Sequence, residues 1–317
     1  MPCSSSFRSR FASLAGRAAL AALAAIAVSG CSSSSSNGGQ GHADAGGGNT
    51  IFTIVLENQD YADVVGSPNA PYINSLIATY GLATSYVDSG THPSLPNYLY
   101  MVSGATQYSG GLDLPPNSGS FPVDAPHLGT QLQTAGIPWR SYQDGMGTPC
   151  LLTPAGSYAP KHDPFLYFKD IQSDANLCAT TNVDYSQFAA DLASGAYRYM
   201  FITPSLVDDG HDPTTDPVQG LKQSDAWLKT EVPKILASAA YQAGGVLFIT
   251  WDEAEGRGTN SKEQVPMIIV SPRIKSAGYQ SSAAYSHASY LRTVEAIFGL
   301  PYLGAAASAK DMLEFLK

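Results

Sequence analysis

Four uninterrupted apolar runs constrain what this chain can fold into: Ile51–Leu56, Tyr199–Ile202, Val246–Trp251 and Met267–Val270. They are rich in Ile, Val and Phe and do not alternate with polar residues. Both faces of each strand are therefore expected to be buried, as in a mostly parallel sheet covered by helices on either side. Three of the runs end in polar clusters. The first reaches Glu57-Asn58, the second passes Thr203-Pro204 toward Asp208-Asp209-Gly210-His211-Asp212, and the third reaches Asp252-Glu253. The fourth ends in Ser271-Pro272 and reads as structural. Ligands of parallel sheets sit beyond the carboxyl ends of the strands. Acids far apart in sequence are thus expected to meet at one place, a geometry suited to a metal-assisted site.

Helical spacing is expected over Pro71–Tyr80, from Ser94 to Gly104, over His127–Ala135, Val183–Leu192 and Ser224–Ser238, and from a Ser286 cap to Gly299. Pro233 makes the middle of the Ser224–Ser238 helix less regular. Leu82–Val87 and Ile137–Tyr142 read as further strands, and Gly145–Leu177 as irregular. Residues 105–126, rich in Gly, Pro and Ser, read as a long loop, which in a compact domain is usually functional or disordered. Alternation of strands and helices implies a three-layer αβα domain over residues 51–317.

The first thirty residues read as an export signal. Arg8, Arg10 and Arg17 precede the apolar stretch Ala18–Val28, which is shorter than the roughly 20 residues of a membrane span. It closes with Val28-Ser29-Gly30-Cys31, an arrangement similar to a bacterial lipobox, so Cys31 is expected to be acylated. Ser32 follows it, which favours the outer membrane or cell surface; a secreted form is the alternative. Residues 31–50 read as a Ser/Gly-rich tether in which His42 is inert. The formal charge of −9 becomes −12 when a leader with three arginines and no acid is removed. Such a chain is poorly suited to nucleic acid. Cys150 and Cys178 then remain in an exported domain and are expected to pair.

Ser94 is placed at or beside the start of a helix, where free N–H groups can bind an anion. It is either a helix cap or a nucleophile. Asn97 stands one turn on, and His92 two residues before. Glu57, Asn58, Asp252 and Glu253 offer oxygen ligands at the ends of buried strands, suited to a divalent ion such as Ca, Mg or Mn. Asp209, His211, Asp212 and His287 could form a second metal site, Zn included, or supply acid–base groups. His162, in Lys161-His162-Asp163-Pro164-Phe165, is either a hydrogen-bonded loop histidine or a catalytic one.

Taken together, Ile54-Val55-Leu56-Glu57-Asn58, His92-Pro93-Ser94-Leu95-Pro96-Asn97-Tyr98, Thr250-Trp251-Asp252-Glu253 and Tyr285-Ser286-His287 resemble the bacterial phosphoesterase family of the alkaline phosphatase-like superfamily. That family holds secreted acid phosphatases and phospholipases C. The resemblance implies that Ser94 is the phosphorylated nucleophile and that Asn97 holds a phosphate oxygen. It implies that Glu57, Asn58, Asp252, Glu253 and Asp209 hold metal, and that His211 or His287 protonates the leaving alcohol. His92 and His162 would face the substrate. Asp208 stands where the family usually has Asn. The chain is then expected to hydrolyse phosphate monoesters, phosphoinositides among them, on a small molecule or a phospholipid headgroup. The alternatives are a phospholipase C-type phosphodiesterase and a surface lipoprotein that only binds its ligand.

Overall fold

The run Ile51–Leu56 forms strand β1, and all of its residues are buried. The computed structural model describes residues 50–108, 111–211, 216–256 and 263–317. The expected leader, the tether before Thr50, the Cys31 expected to be acylated, and also His42 and Asp212 lie outside them. Among the described residues no helix is long and apolar enough to cross a membrane.

The other strands are β2 (Gly81–Ala83), β3 (Tyr86–Val87), β4 (Trp139–Gln143), β5 (Asn182–Asp184), β6 (Tyr199–Thr203), β7 (Val246–Trp251), β8 (Met267–Val270), β9 (Tyr279–Ser281) and β10 (Tyr285–Ser286). Eight of these ten, counted among the described residues, form one sheet in the order β5-β4-β6-β1-β7-β8-β2-β9, and β10 pairs with β3. The pairings from β5 across to β7 are parallel, and β8 runs antiparallel to both its neighbours. β1 lies between β6 and β7, with Leu56 opposite Trp251. The first, second and third apolar runs therefore bring their polar ends to one edge.

Helices α1 (Tyr61–Val64), α2 (Pro71–Thr79), α3 (Ser94–Ser103), α4 (Leu128–Thr134), α5 (Lys169–Ser173), α6 (Ala175–Thr181), α7 (Phe188–Ser194), α8 (Pro217–Ala237), α9 (Ala239–Gln242) and α10 (His287–Phe298) flank the sheet. α2 packs on α8, and α3 packs on α10. The first N–H groups of α2 have no capping side chain of their own. Asp225 of α8 supplies one, its carboxylate accepting from Ile73 N at 2.8 Å and Tyr72 N at 3.2 Å. α10 is tied to the sheet where Tyr290 Oη meets Thr53 Oγ1 at 2.7 Å and Tyr199 Oη at 2.9 Å.

Several expected elements change. Leu82–Val87 is two strands in two sheets, because the chain leaves the main sheet at Thr84, whose N–H bonds Ser281 O at 2.9 Å. The stretch expected to begin a helix at Val183 instead forms the edge strand β5, with Val183 paired to Tyr142. The region 145–177 is not irregular throughout. It contains 3₁₀ turns at Pro160–His162 and Pro164–Tyr167, then α5 and the start of α6. Phe165, Leu166, Tyr167 and Phe168 are all buried there. Consecutive apolar residues carry no helical period, which is why the pattern hid them. α8 begins earlier than its apolar spacing indicated and runs through Pro233. Lys229, whose carbonyl Pro233 cannot serve, is exposed, so water can satisfy that group.

Cys150 and Cys178 form a disulfide with Cα atoms 5.5 Å apart. It closes the loop that carries both 3₁₀ turns over the sheet edge.

Candidate active site

Ser94 is the first residue of α3, and its hydroxyl is buried. It does not cap the helix. Its Oγ donates instead to Glu57 Oε2 at 2.9 Å. Glu57 follows β1 directly and is wholly buried. Its N–H donates to Asp209 O at 2.8 Å, which stitches the loop after β6 to the end of β1. Gln59 Nε2 holds the same loop through Gly210 O at 2.8 Å. Gly220 in α8 backs it so closely that an added Cβ would stand 2.1 Å from Gly210 O. Only glycine lets the helix approach that far.

Asn58 takes φ 38°, a left-handed conformation that Asn tolerates better than most residues. There its N–H reaches Asp252 Oδ1 at 3.1 Å and its Nδ2 reaches Glu253 Oε1 at 2.9 Å. The other Glu253 oxygen accepts from Asn97 Nδ2 at 3.1 Å and pairs with His92 Nδ1 at 2.8 Å. Asn97 Oδ1 accepts from Ser89 N at 2.9 Å, so Asn97 joins the 88–91 loop to Glu253. Of the residues singled out in the sequence, Glu57, Asn58, Ser94, Asn97, Asp252, Glu253 and Asp209 thus converge on one buried cluster, with the half-exposed His92 at its rim.

His162 belongs to the same cluster. Its Nε2 lies 3.0 Å from Glu57 Oε1, and its ring stacks on Tyr98 with centroids 5.3 Å apart. His211 stands further out and half exposed, its Nε2 3.0 Å from Glu255 Oε1 and its N–H on Asp209 Oδ1 at 2.9 Å. His287 is buried and engaged at both ring nitrogens. Nε2 lies 2.6 Å from the Asp252 carbonyl, and Nδ1 lies 2.8 Å from Tyr86 Oη. Burial lowers its pKa to about 4, so the ring is neutral near pH 7. A carbonyl only accepts, so Nε2 carries the proton and Nδ1 accepts from Tyr86. In this arrangement His287 braces the Asp252 strand end, and protonating a leaving group would require it to release one partner.

Three further site residues do not stand out in the sequence. Lys161 Nζ lies 3.3 Å from Ser94 Oγ, 3.4 Å from Glu57 Oε2 and 3.1 Å from Asp113 Oδ2. Its position one residue before His162 was the available signal. Asp113, in the patternless stretch 105–126, had none. A third, Asp88, accepts from Ala254 N at 3.1 Å, and burial raises its pKa to about 6.

The electrostatics divide the two central carboxylates. Burial alone would raise Glu57, but His162 and Lys161 beside it hold its pKa well below the ordinary value. Burial pushes Asp252 well above the ordinary value, and the charges of Glu57 and Glu253 push the same way. Glu57 is therefore the ionised one, and Asp252 the one that gains most from a further positive charge. Glu57 Oε1 and Asp252 Oδ2 are both buried without a hydrogen-bond partner, although His162 Nε2 lies 3.0 Å from the first. Orphaned hard oxygens at two adjacent strand ends fit a divalent cation. Among the described residues no three His, Cys, Asp or Glu side chains form a ready cage, so the donor set would be mixed, with the Asn58 amide and the Ser94 hydroxyl alongside the acids.

Over 266 residues the chain is 31% identical to a phosphatidylinositol-3-phosphatase of Mycobacterium tuberculosis, covering 83% of this chain and 81% of that protein. It is 29% identical to a probable acid phosphatase of Kluyveromyces lactis, covering 84% of this chain but 62% of the yeast protein, so it spans less than two thirds of that relative. Among solved structures, a protein in the alkaline phosphatase superfamily from Vibrio parahaemolyticus superposes with a TM-score of 0.55 at 12% identity, over 80% of this chain and 67% of that one. The C-terminal periplasmic domain of EptC from Escherichia coli, solved in complex with Zn, gives 0.51 at 12% identity, over 81% and 84%. At such identities the structures speak to the fold, which is the three-layer, mostly parallel arrangement expected from the apolar runs. Residues 66–301 match the profile of the phosphoesterase family, and the chain belongs to that family.

Proposed function

We propose that this chain is a phosphomonoesterase of the acid phosphatase type that works through a phosphoserine at Ser94. One observation carries the proposal: a buried serine hydroxyl at the start of a helix, bonded to an ionised carboxylate at 2.9 Å with an ammonium 3.3 Å away. Ser94 Oγ would attack phosphorus, and its proton would leave along the existing bond to Glu57 Oε2. Lys161 would favour the developing alkoxide, and the Leu95 N–H at the start of α3, which Asp113 now accepts from, would meet a phosphoryl oxygen once that carboxylate gives way. The ester oxygen leaves as an alcohol after gaining a proton. His92 and His211 are the half-exposed imidazoles beside the cluster, each paired with a glutamate. The hydrogen bond to Glu253 outweighs partial burial and raises the pKa of His92, which favours its charged, proton-donating form. Water then attacks the phosphoserine and gives a proton to the imidazole that protonated the alcohol; phosphate leaves, and the proton held by Glu57 returns to Ser94 Oγ.

Glu57 and Asp252, with Asn58 and Glu253 beside them, are the residues proposed to hold a divalent cation. Such an ion would neutralise phosphate charge as a Lewis acid and lower the pKa of a nearby hydroxyl. The relative from Mycobacterium tuberculosis supports a phosphoinositide monoester as substrate, and export with a lipid on Cys31 would place the enzyme near membranes. Hydrolysis of nitrophenyl phosphate by wild type and Ser94→Ala tests the reading. The variant should fold and lose essentially all turnover, and trapping with acid should label wild type alone at Ser94. Comparable rates in the two proteins would defeat the assignment. Preferential cleavage of nitrophenyl phosphocholine would instead identify a phospholipase C-type diesterase.

A further inference from the structure

Asp113 sits where a substrate anion should sit. Its Oδ1 accepts from Leu95 N at 3.0 Å, the N–H directly after the nucleophile, and its Oδ2 accepts from Lys161 Nζ at 3.1 Å. The same Nζ is 3.3 Å from Ser94 Oγ. In acyl and phosphoryl transfer alike, an N–H beside the nucleophile and a neighbouring cation form the natural receptor for a non-bridging oxygen. Here a carboxylate of the chain itself fills it. The placement is not accidental to a loose loop. Leu114, next in sequence, is held by Tyr167 Oη on its carbonyl at 2.9 Å, and Pro116 O accepts from Gln172 Nε2 at 2.7 Å. Asp113 keeps 24% and Lys161 19% of its side chain accessible, so solvent and ligand can reach the pair.

We propose that Asp113 is a resident competitor for the phosphoryl group and the determinant of charge selectivity at this site. The inference rests on the reading of Ser94 as a phosphate nucleophile. Lys161 is shared between two carboxylates, Glu57 and Asp113. An arriving phosphate monoester brings up to two negative charges and must displace the Asp113 carboxylate or bind against it. A diester brings one charge and is opposed less. Removing the Asp113 charge should therefore tighten binding of monoesters and of inorganic phosphate, and should favour monoesters over diesters more strongly than wild type does.

The test uses the full-length protein with Asp113→Asn and Asp113→Ala. Inorganic phosphate is the probe, followed by calorimetry and as a competitive inhibitor, with nitrophenyl phosphate and a nitrophenyl diester as substrates. Both variants are expected to bind phosphate about tenfold or more tightly, as one like charge at contact distance is removed. KM for the monoester should fall more than KM for the diester, while kcat does not rise in proportion. Phosphate affinity within about twofold of wild type in either folded variant overturns the proposal, as does weaker binding. If Asp113 only anchors the loop, melting temperature falls while the phosphate constants stay put. Calorimetry reads the subsite directly, so absent turnover in wild type would count against the Ser94 reading and leave the Asp113 measurement standing.

Discussion

Replacing Lys161 with Met keeps the length of the side chain and removes the charge. Nζ lies 3.3 Å from Ser94 Oγ, so a phosphoryl oxygen bound beside that hydroxyl would come within about 4 Å of the ammonium. At the effective dielectric of a partly buried site, such a pair interacts by about 4 kcal/mol. With 19% of the Lys161 side chain accessible, solvent screening reduces this to about 2–4 kcal/mol. The expected loss in kcat/KM is about 30- to 1,000-fold. Stability should fall less than for a fully broken buried pair, which costs about 3–5 kcal/mol. The reason is that Glu57 keeps His162 at 3.0 Å and the Ser94 hydroxyl at 2.9 Å. Steady-state kinetics with nitrophenyl phosphate and thermal melts of the same preparations separate the two effects. Lys161→Arg should recover part of the activity, since the charge returns in a different geometry. If the Met variant keeps kcat/KM within about threefold while its melting temperature drops, Lys161 is only a structural counter-ion and the reasoning fails.

Exhaustive chelation should abolish turnover and readdition of a divalent cation should restore it, with Asp252→Asn retaining less metal by elemental analysis; full activity in metal-free protein would refute the proposed cation site. Mass spectrometry of unreduced protein should recover Cys150 and Cys178 in one linked peptide pair, and Cys150→Ser should cost about 3–4 kcal/mol in denaturant unfolding, as expected for a loop whose ends are 28 residues apart. Burial raises the carboxyls of Asp163 and Glu295 each to about 7. The native state then holds protons that the unfolded chain has released, so the stability these two groups contribute is fully present below about pH 4 and is lost as pH rises through about 7, by up to about 1.4 kcal/mol per pH unit for each group. Asp163→Asn should flatten that slope in denaturation curves between pH 4 and 8, and an unchanged slope would show that Asp163 does not contribute to it.

The parts legible in the sequence were those with a local physical cause. Uninterrupted Ile, Val and Phe predict strands buried on both faces, and β1, β6, β7 and β8 formed where those runs lie. Parallel strands share an edge, so Glu57 and Asp252 could be expected side by side, and the Leu56–Trp251 register puts them there. A Ser with Pro two residues on and an apolar face marked the start of α3, and two cysteines left in the fold marked the disulfide.

What tertiary structure alone decided were contacts between segments that have no pattern of their own. The edge strand β5 exists because β4 offers it a partner, and the run Phe165–Phe168 is buried without any period to announce it. Asn97 is consumed by Ser89, Thr91 and Glu253, and His287 by Tyr86 and a backbone carbonyl, neither of which its residue type foretells. Lys161 and Asp113 stand 48 positions apart and meet over Ser94 only because two loops fold across the same sheet edge. Periodicity and composition report how a segment meets solvent and its immediate neighbours. The partner of a buried charge is set by where distant backbone comes to rest, and that is determined by packing of the whole sheet and its helices.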